Sequence, residues 1–237
     1  MTDMRNKVAF VTGAGSGVGR AVSLGLAGLG VVTALCGRRA EPLDSVAAEI
    51  EAAGGRALVL PVDIADEERV AAVFDQVIQA AGGVDLLVSC AGVGIYGRVD
   101  EYSLDDWRAT LETNVTGLFL CSRAALPSMR ARGGGHIVAI SSGAGRRGYA
   151  NLAAYSASKF AVIGFMESLA EEVGAVGIKC TTILPGSILT DFGPRSLEEK
   201  RKSGKKYLHA EDVAEAIIQV LRQPDHVWTQ QVNLWPF

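Results

Sequence analysis

The sequence predicts an α/β fold, a doubly wound parallel sheet of about seven strands with helices on both faces. Three observations carry that reading. Short runs rich in β-branched residues alternate with longer segments of helical apolar period along the whole chain. Several short runs are apolar on both sides, as in Val8-Ala9-Phe10-Val11, and a parallel sheet covered on two faces requires this. A glycine-rich turn joins the first such run to the first helical segment. Strand–helix alternation of this kind implies right-handed crossovers.

In order, the first strand is Val8–Thr12, followed by the glycine turn and an amphipathic helix. A second strand, Val31–Cys36, leads to a helix over Glu41–Ala53, and a third, Ala57–Val62, to one over Glu67–Ala81. The fourth strand is Leu86–Ser89. The helical pattern that follows, Leu104–Arg132, is long enough for two helices. His136–Ser141 and Lys179–Leu184 are the fifth and sixth strands, with a helix over Ala153–Val176 between them. The last helix is Ala210–Arg222, and a final strand lies near Gln231–Trp235. No internal repeat and no Pro/Gly-rich linker divides the chain, so residues 1–237 are read as one domain. One compositional break, about 187–209, contains the basic stretch Pro194–Lys206 and reads as a surface excursion beside a cleft.

Composition narrows the function classes. The 237 residues carry a formal charge of −3, which gives no electrostatic footprint for nucleic acid. Cys36, Cys90, Cys121 and Cys180 are scattered, with neither a CxxC pair nor clustered histidines, so neither a metal site nor a disulfide framework is expected. They read as free thiols in a reducing compartment, and a cytoplasmic location is expected. Ala21 to Gly37 holds 17 residues without a charge. Its glycines divide it into a helix and a strand, and a membrane span needs ~20 apolar residues. A soluble protein is expected, with no secretory signal at the start.

The turn reads Thr12-Gly13-Ala14-Gly15-Ser16-Gly17-Val18-Gly19. Glycines at 13, 17 and 19 suit a backbone that takes positive φ, approaches a phosphate and packs a helix against a strand. The helix N-terminus beyond them offers free N–H groups and a positive dipole end to a pyrophosphate. Alone, such a turn is weak evidence, since tight turns use glycine generally. Between a strand and a helix in the first βαβ unit it has the context of a Rossmann-type dinucleotide site.

The spacing, Gly-x-x-x-Gly-x-Gly, resembles that of the short-chain dehydrogenase/reductase family. The resemblance extends over essentially the whole chain. It includes Asp63 after the third strand, Cys90-Ala91-Gly92 after the fourth, Asn114 in a helix and Ser142 after the fifth. It continues through Tyr155-Ser156-Ala157-Ser158-Lys159 and Pro185-Gly186 with Thr190. It implies cofactor contacts at Gly13, Gly15, Ser16, Gly17, Val18 and Gly19, at Asp63 and Ile64, and at Cys90, Ala91 and Gly92. Further contacts are implied at Tyr155 and Lys159, and at Pro185, Gly186, Ile188 and Thr190. It also implies a relay in which Asn114 reaches the lysine through water, and in which Lys159 binds the ribose hydroxyls.

The residues themselves suggest the chemistry. Tyr155 and Lys159 are four apart, on one face of a helix. A phenol titrates near pH ~10, and a close ammonium favours its ionised form. Tyr155 can then protonate an alkoxide or remove a hydroxyl proton, and Ser142 can hydrogen-bond the same oxygen. Each residue alone has an ordinary structural use; together they supply acid/base, oxygen stabiliser and charge tuner. The expected activity is hydride transfer between nicotinamide and a carbonyl or secondary alcohol, as in ketone or aldehyde reductases and alcohol or 3-hydroxy acid dehydrogenases. A dinucleotide-binding regulator that keeps the fold without chemistry is the alternative.

Finer expectations follow. After the second strand the chain reads Gly37-Arg38-Arg39, where an NAD-specific site places an acid against the adenosine ribose. A guanidinium there suits a 2′-phosphate, so NADP(H) is preferred, with Arg38 foremost, Arg39 assisting and NAD possible. Cys90 stands where the family usually has asparagine, which puts that side-chain hydrogen bond in doubt. Loop positions at the strand ends nominate Ile95, Tyr96, Ala144, Tyr149, Ile188, Leu189 and Phe192 as pocket walls for a small-molecule carbonyl or alcohol. The lysines of Lys200-Arg201-Lys202 and Lys205-Lys206 are candidate lid charges for an anionic substrate. Phe160, Val162, Ile163 and Met166 exceed one core-facing stripe, and a homo-oligomer, dimer or tetramer, is expected.

Overall fold

The computed structural model describes residues 2–237. Seven strands form one sheet: β1 (Val8–Thr12), β2 (Val32–Gly37), β3 (Ala57–Pro61), β4 (Leu86–Ser89), β5 (Gly135–Ile140), β6 (Ile178–Pro185) and β7 (Gln231–Leu234). Their spatial order is β3-β2-β1-β4-β5-β6-β7, with every neighbouring pair parallel. The chain winds outward from β1 through β2 to β3, then returns to β4 on the other side of β1. That reversal opens a crevice at the carboxyl ends of β1 and β4.

Alternation along β1 distributes its side chains between two cores. Val8 and Phe10 face the layer of α3 (Glu67–Ala81), α5 (Gly117–Ala131) and α6 (Ala153–Val173), where Phe10 stacks on Phe74 at 4.2 Å. Ala9 and Val11 face α1 (Gly17–Ala27), α2 (Ala40–Ala52) and α8 (Ala210–Leu221). Close approach of α1 and α8 depends on Gly25, whose added Cβ would stand 2.5 Å from Ile218 Cδ1. At the opposite end of the sheet from the crevice, buried Asp85 accepts from Val8 N at 2.8 Å and from Arg132 Nε at 2.7 Å. That charge-assisted set fixes the β1–β4 register.

The expected strands and helices agree with the observed ones to within three residues, except in two places. The pattern over Leu104–Arg132 becomes α4 (Leu104–Leu111), a π-helical turn over Glu112–Thr116, and α5. The excursion before α8 contains a short helix, α7 (Leu197–Lys202), started by a capping box between Ser196 and Glu199. No helix among the described residues is long and apolar enough to cross a membrane.

Candidate active site

The glycine turn sits at the mouth of the crevice. Gly13 and Gly17 have φ of 66° and 51°, and a Cβ on Gly19 would lie 2.3 Å from Gly13 O, so the turn tolerates no side chain at that point. Ser16 starts α1 without a side-chain cap, and no acid occupies the first turn, which leaves the helix N-terminus open to an anion. Thr12 Oγ1 accepts from Ala91 N at 3.0 Å, holding the two strand ends together across the switch point.

A cleft of about 160 Å³ runs from this turn. Gly13, Gly15, Ser16, Arg38, Arg39, Asp63, Ile64, Ala91 and Gly92, which the sequence nominates as cofactor contacts, all line it. Arg38 and Arg39 are exposed on its rim. Pro42, Leu43, Val62, Val93 and Thr113 line it as well, and the sequence reading missed them. Pro42 and Leu43 were hidden because they belong to the first turn of α2, where they read as core or helix start. Asp63 also serves its own turn, Oδ1 accepting from Ala65 N at 3.0 Å. Of the remaining nominated contacts, Thr190 packs its Cγ2 near Gly17, while Ile188 bridges to Leu208 and Val18 packs against the α1-side core. Gly186 lies under Trp235, 2.9 Å from where its Cβ would be, and its N–H donates to Leu234 O at 2.7 Å. Glycine at 13 and 19 and the uncapped α1 terminus make the cleft a fitting cradle for a dinucleotide.

Gly92 links the cleft to the predicted acid/base group. A Cβ there would stand 3.1 Å from Asn114 Oδ1 and 3.7 Å from Lys159 Nζ. Lys159 and Tyr155 occupy the first turns of α6 and are 5% and 8% exposed. Lys159 Nζ donates to Ile140 O at 2.8 Å and lies 5.6 Å from the Tyr155 ring centre. Ser142 begins the one-turn helix Gly143–Gly145 at the end of β5, its Oγ accepting from Ala144 N at 3.1 Å. Ser141 Oγ donates to Lys159 O at 2.8 Å and ties that loop to α6. The four predicted residues therefore cluster between the ends of β4, β5 and α6.

The electrostatics depart from the expectation. Burial pushes the Tyr155 phenol well above its ordinary value, the Tyr96 phenol adds to this, and the Ser142 hydroxyl pulls the other way. The ammonium of Lys159 is engaged with Ile140, and burial brings the lysine itself down to about 8, opposed by the Cys90 thiol. Burial raises Cys90 to about 12, so it is an inert thiol beside the lysine. Asn114 stands in the π-helical turn, which swings its amide towards β4. Its Oδ1 accepts from Val93 N at 2.8 Å, and its Nδ2 donates to Val93 O and Ser158 Oγ, both at 3.0 Å.

On the open side of Tyr155 the rings of Tyr96 and Phe192 each lie 5.8 Å from its ring centre, and both were nominated as pocket walls. Trp235 was missed; it packs on Gly143 and Gly186, next to the Ser142 loop. Three lysines of the basic run have partners within the protein. Lys200 is buried, Lys202 pairs with Glu198 at 2.6 Å, and Lys205 reaches Ser187 Oγ.

A parallel sheet with a glycine turn at its switch point, and beside it buried Tyr155 and Lys159 with half-buried Ser142, defines a dinucleotide-dependent oxidoreductase. The short chain dehydrogenase family model matches residues 7–201, and the chain belongs to that family. The glycine betaine reductase ATRR of Emericella nidulans is 37% identical over 239 residues, which span 98% of this chain and 19% of that protein. The chain thus corresponds to about a fifth of that relative. An uncharacterized oxidoreductase of Staphylococcus haemolyticus is 35% identical over the full length of both chains. Among solved structures, a metagenomic short-chain oxidoreductase in complex with NADP superposes with a TM-score of 0.88 at 32% identity, covering 100% of this chain and 99% of the other.

Proposed function

We propose that the protein is an NADP-dependent oxidoreductase that reduces a ketone or aldehyde, or oxidises the corresponding secondary or primary alcohol, with Tyr155 as general acid/base. The observation that carries this reading is the buried phenol of Tyr155 flanked by the Ser142 hydroxyl and followed by Lys159, next to a cleft floored by Gly92. A nicotinamide bound in the cleft supplies or accepts the hydride. Tyr155 donates its proton to the oxygen that gains charge, and Ser142 donates a hydrogen bond to the same oxygen. Because burial raises Tyr155, the phenol stays protonated at neutral pH, the form that carbonyl reduction uses. Lys159, brought to about 8, is charged at neutral pH and stands close enough to stabilise the phenolate left behind. Asn114 holds the Val93 backbone at the edge of the cleft, which makes it a positioning residue for the cofactor.

Exposed Arg38 and Arg39, following Gly37 where an acid would face the adenosine ribose, favour a 2′-phosphate, and the NADP held by the metagenomic relative agrees with that preference. Screening a carbonyl and alcohol panel with NADPH and NADP tests the activity. In the same assay, Tyr155→Phe is expected to lower turnover about a hundredfold or more while NADPH binding persists. A variant keeping more than about a tenth of wild-type turnover excludes the role.

A homo-oligomer in the cytoplasm completes the proposal. Val162, Ile163 and Met166 of α6 are core residues, so the surplus apolar surface is narrower than the sequence indicated. It consists of Phe160 on α6 and Phe119 on α5, 48% and 42% exposed, with Phe119 against Phe165. Light scattering at micromolar concentration should give a multiple of 24.8 kDa; a monomer mass refutes the assembly. The four cysteines are all free, in keeping with a reducing compartment.

A further inference from the structure

The segment between β6 and α8 contains a buried cation that the proposed chemistry does not use. Lys200 on α7 is 8% exposed, whereas Arg201 and Lys202 beside it are in solvent. A lysine is almost never that buried unless its charge is satisfied. Here Nζ donates to two backbone carbonyls, Thr190 O at 2.5 Å and Phe192 O at 2.6 Å. Asp191, between them, is turned instead to Leu197 N at 3.3 Å, so one short segment is fastened to α7 at three points.

The two carbonyls belong to residues that face different parts of the site. Thr190 packs towards Gly17 in the phosphate-binding turn, while the Phe192 ring lies over Tyr155 at 5.8 Å, tilted by 54°. Tyr96 approaches Tyr155 edge-on from the β4–α4 loop. A Cβ at Gly94 would stand 2.7 Å from Phe192 Cε1 and 3.1 Å from Tyr96 Cε1, so both rings converge on a position that only glycine leaves open. Immediately after Phe192, Gly193 has φ of 86°, a conformation other residues adopt at a cost, and its Cβ would meet Tyr96 Oη at 3.2 Å.

The geometry points to Phe192 as a gate over the catalytic phenol, Gly193 as its pivot and Lys200 as the latch that sets the gate's resting position. This rests on the reading of Tyr155 as the proton-transferring group. A carbonyl that reaches Tyr155 must turn the Phe192 ring aside, so the gate selects by the bulk next to the carbonyl carbon. Slim aldehydes need a small displacement. Fused-ring ketones need the Thr190–Phe192 segment to leave Lys200. Lys200 touches no reacting atom and is a positioning residue.

Two measurements on the NADPH-saturated full-length protein test this. In hydrogen exchange, Lys200→Met should speed the amides of residues 189–207 about a hundredfold or more, the scale of losing two hydrogen bonds from a charged donor, while β5 and β6 stay protected. In turnover with propanal and 1-tetralone, Phe192→Ala should raise the tetralone-to-propanal ratio of kcat/KM about tenfold, and Lys200→Met should move it the same way. A merely structural lysine would depress both substrates together and loosen β5 and β6 as well. Unchanged exchange in residues 189–207, exchange raised throughout the sheet, or an unaltered ratio in Phe192→Ala each overturns the gate. If the wild type reduces neither probe, the substrate selection fails with it, and the exchange experiment still decides the latch.

Discussion

Replacing Asn114 by alanine separates a positioning role from a purely chemical one. The wild-type amide makes three hydrogen bonds, two of them closing a ring with the N–H and C=O of Val93. Ser158 Oγ loses little in the variant, because it still donates to Tyr155 O at 2.7 Å. Val93 N and Val93 O lose their partners. An unsatisfied buried polar group costs ~1–3 kcal/mol, and Val93 is half-buried beside the cleft, where water reaches part of the gap. The low end of that range for two groups gives about 2 kcal/mol of destabilisation. With a urea m-value of ~2 kcal/mol/M, the unfolding midpoint should fall by about 1 M at unchanged m. The Val93 segment lines the cleft, so NADPH affinity measured by nicotinamide fluorescence should weaken in parallel. A midpoint within about 0.2 M of wild type, with intact NADPH affinity but lost turnover, would refute the clamp and leave Asn114 with a chemical role alone.

Two more perturbations address the rim and the sheet. Gly37→Asp with Arg38→Ile puts a carboxylate where the adenosine ribose would lie and removes the foremost guanidinium, so NADPH-to-NADH affinity should fall at least about tenfold; wild-type binding of NADH as tight as NADPH would contradict the assignment. His136, buried with Nε2 against Thr181 Oγ1, is lowered to about 3, first by burial and then by Lys179. The unfolded chain therefore binds this proton from about pH 6.5 downward while the folded one resists it until about 3. Stability from this group is complete above 6.5 and is lost on acidification, by up to about 1.4 kcal/mol per pH unit within that window. His136→Gln should flatten the urea midpoint between pH 6.5 and 4 relative to wild type, and an identical slope would exclude His136 as a contributor.

The sheet was legible because its signals are local. Double-faced apolar runs such as Val8–Val11 and the glycines at 13, 17 and 19 state their own backbone requirements, whereas the order of strands depends on pairings that the local pattern does not report. The Tyr155/Lys159 pair was legible from helical spacing, and Ser142 from its place at a strand end. What escaped depends on contacts distant in sequence. Nothing in Leu197–Lys202 says that Lys200 turns inward, because its neighbours are ordinary surface residues and its acceptors lie eight and ten positions away. The π-helical turn over Glu112–Thr116 has no glycine or proline to announce it; the pairing of Asn114 with Val93 across 21 residues accompanies it. The effect of burial on Tyr155 escaped for the same reason. An i,i+4 lysine suggests ionisation, whereas burial under Tyr96 and Phe192 favours the neutral phenol, and no local pattern reports burial.

Trp235 has a consequence for how the site can vary. Its ring rests on Gly143, one residue past Ser142, and on Gly186 at the end of β6, with added Cβ atoms falling 2.7 Å and 2.9 Å from it. One indole thus sets the spacing of two loops that reach the site from different crossovers. Alanine at either glycine pushes against the same ring, and a smaller side chain at 235 releases both loops together. The three positions behave as a single degree of freedom, so a broadened substrate range in laboratory evolution would come through paired changes at 235 and one of the glycines, and seldom through either alone.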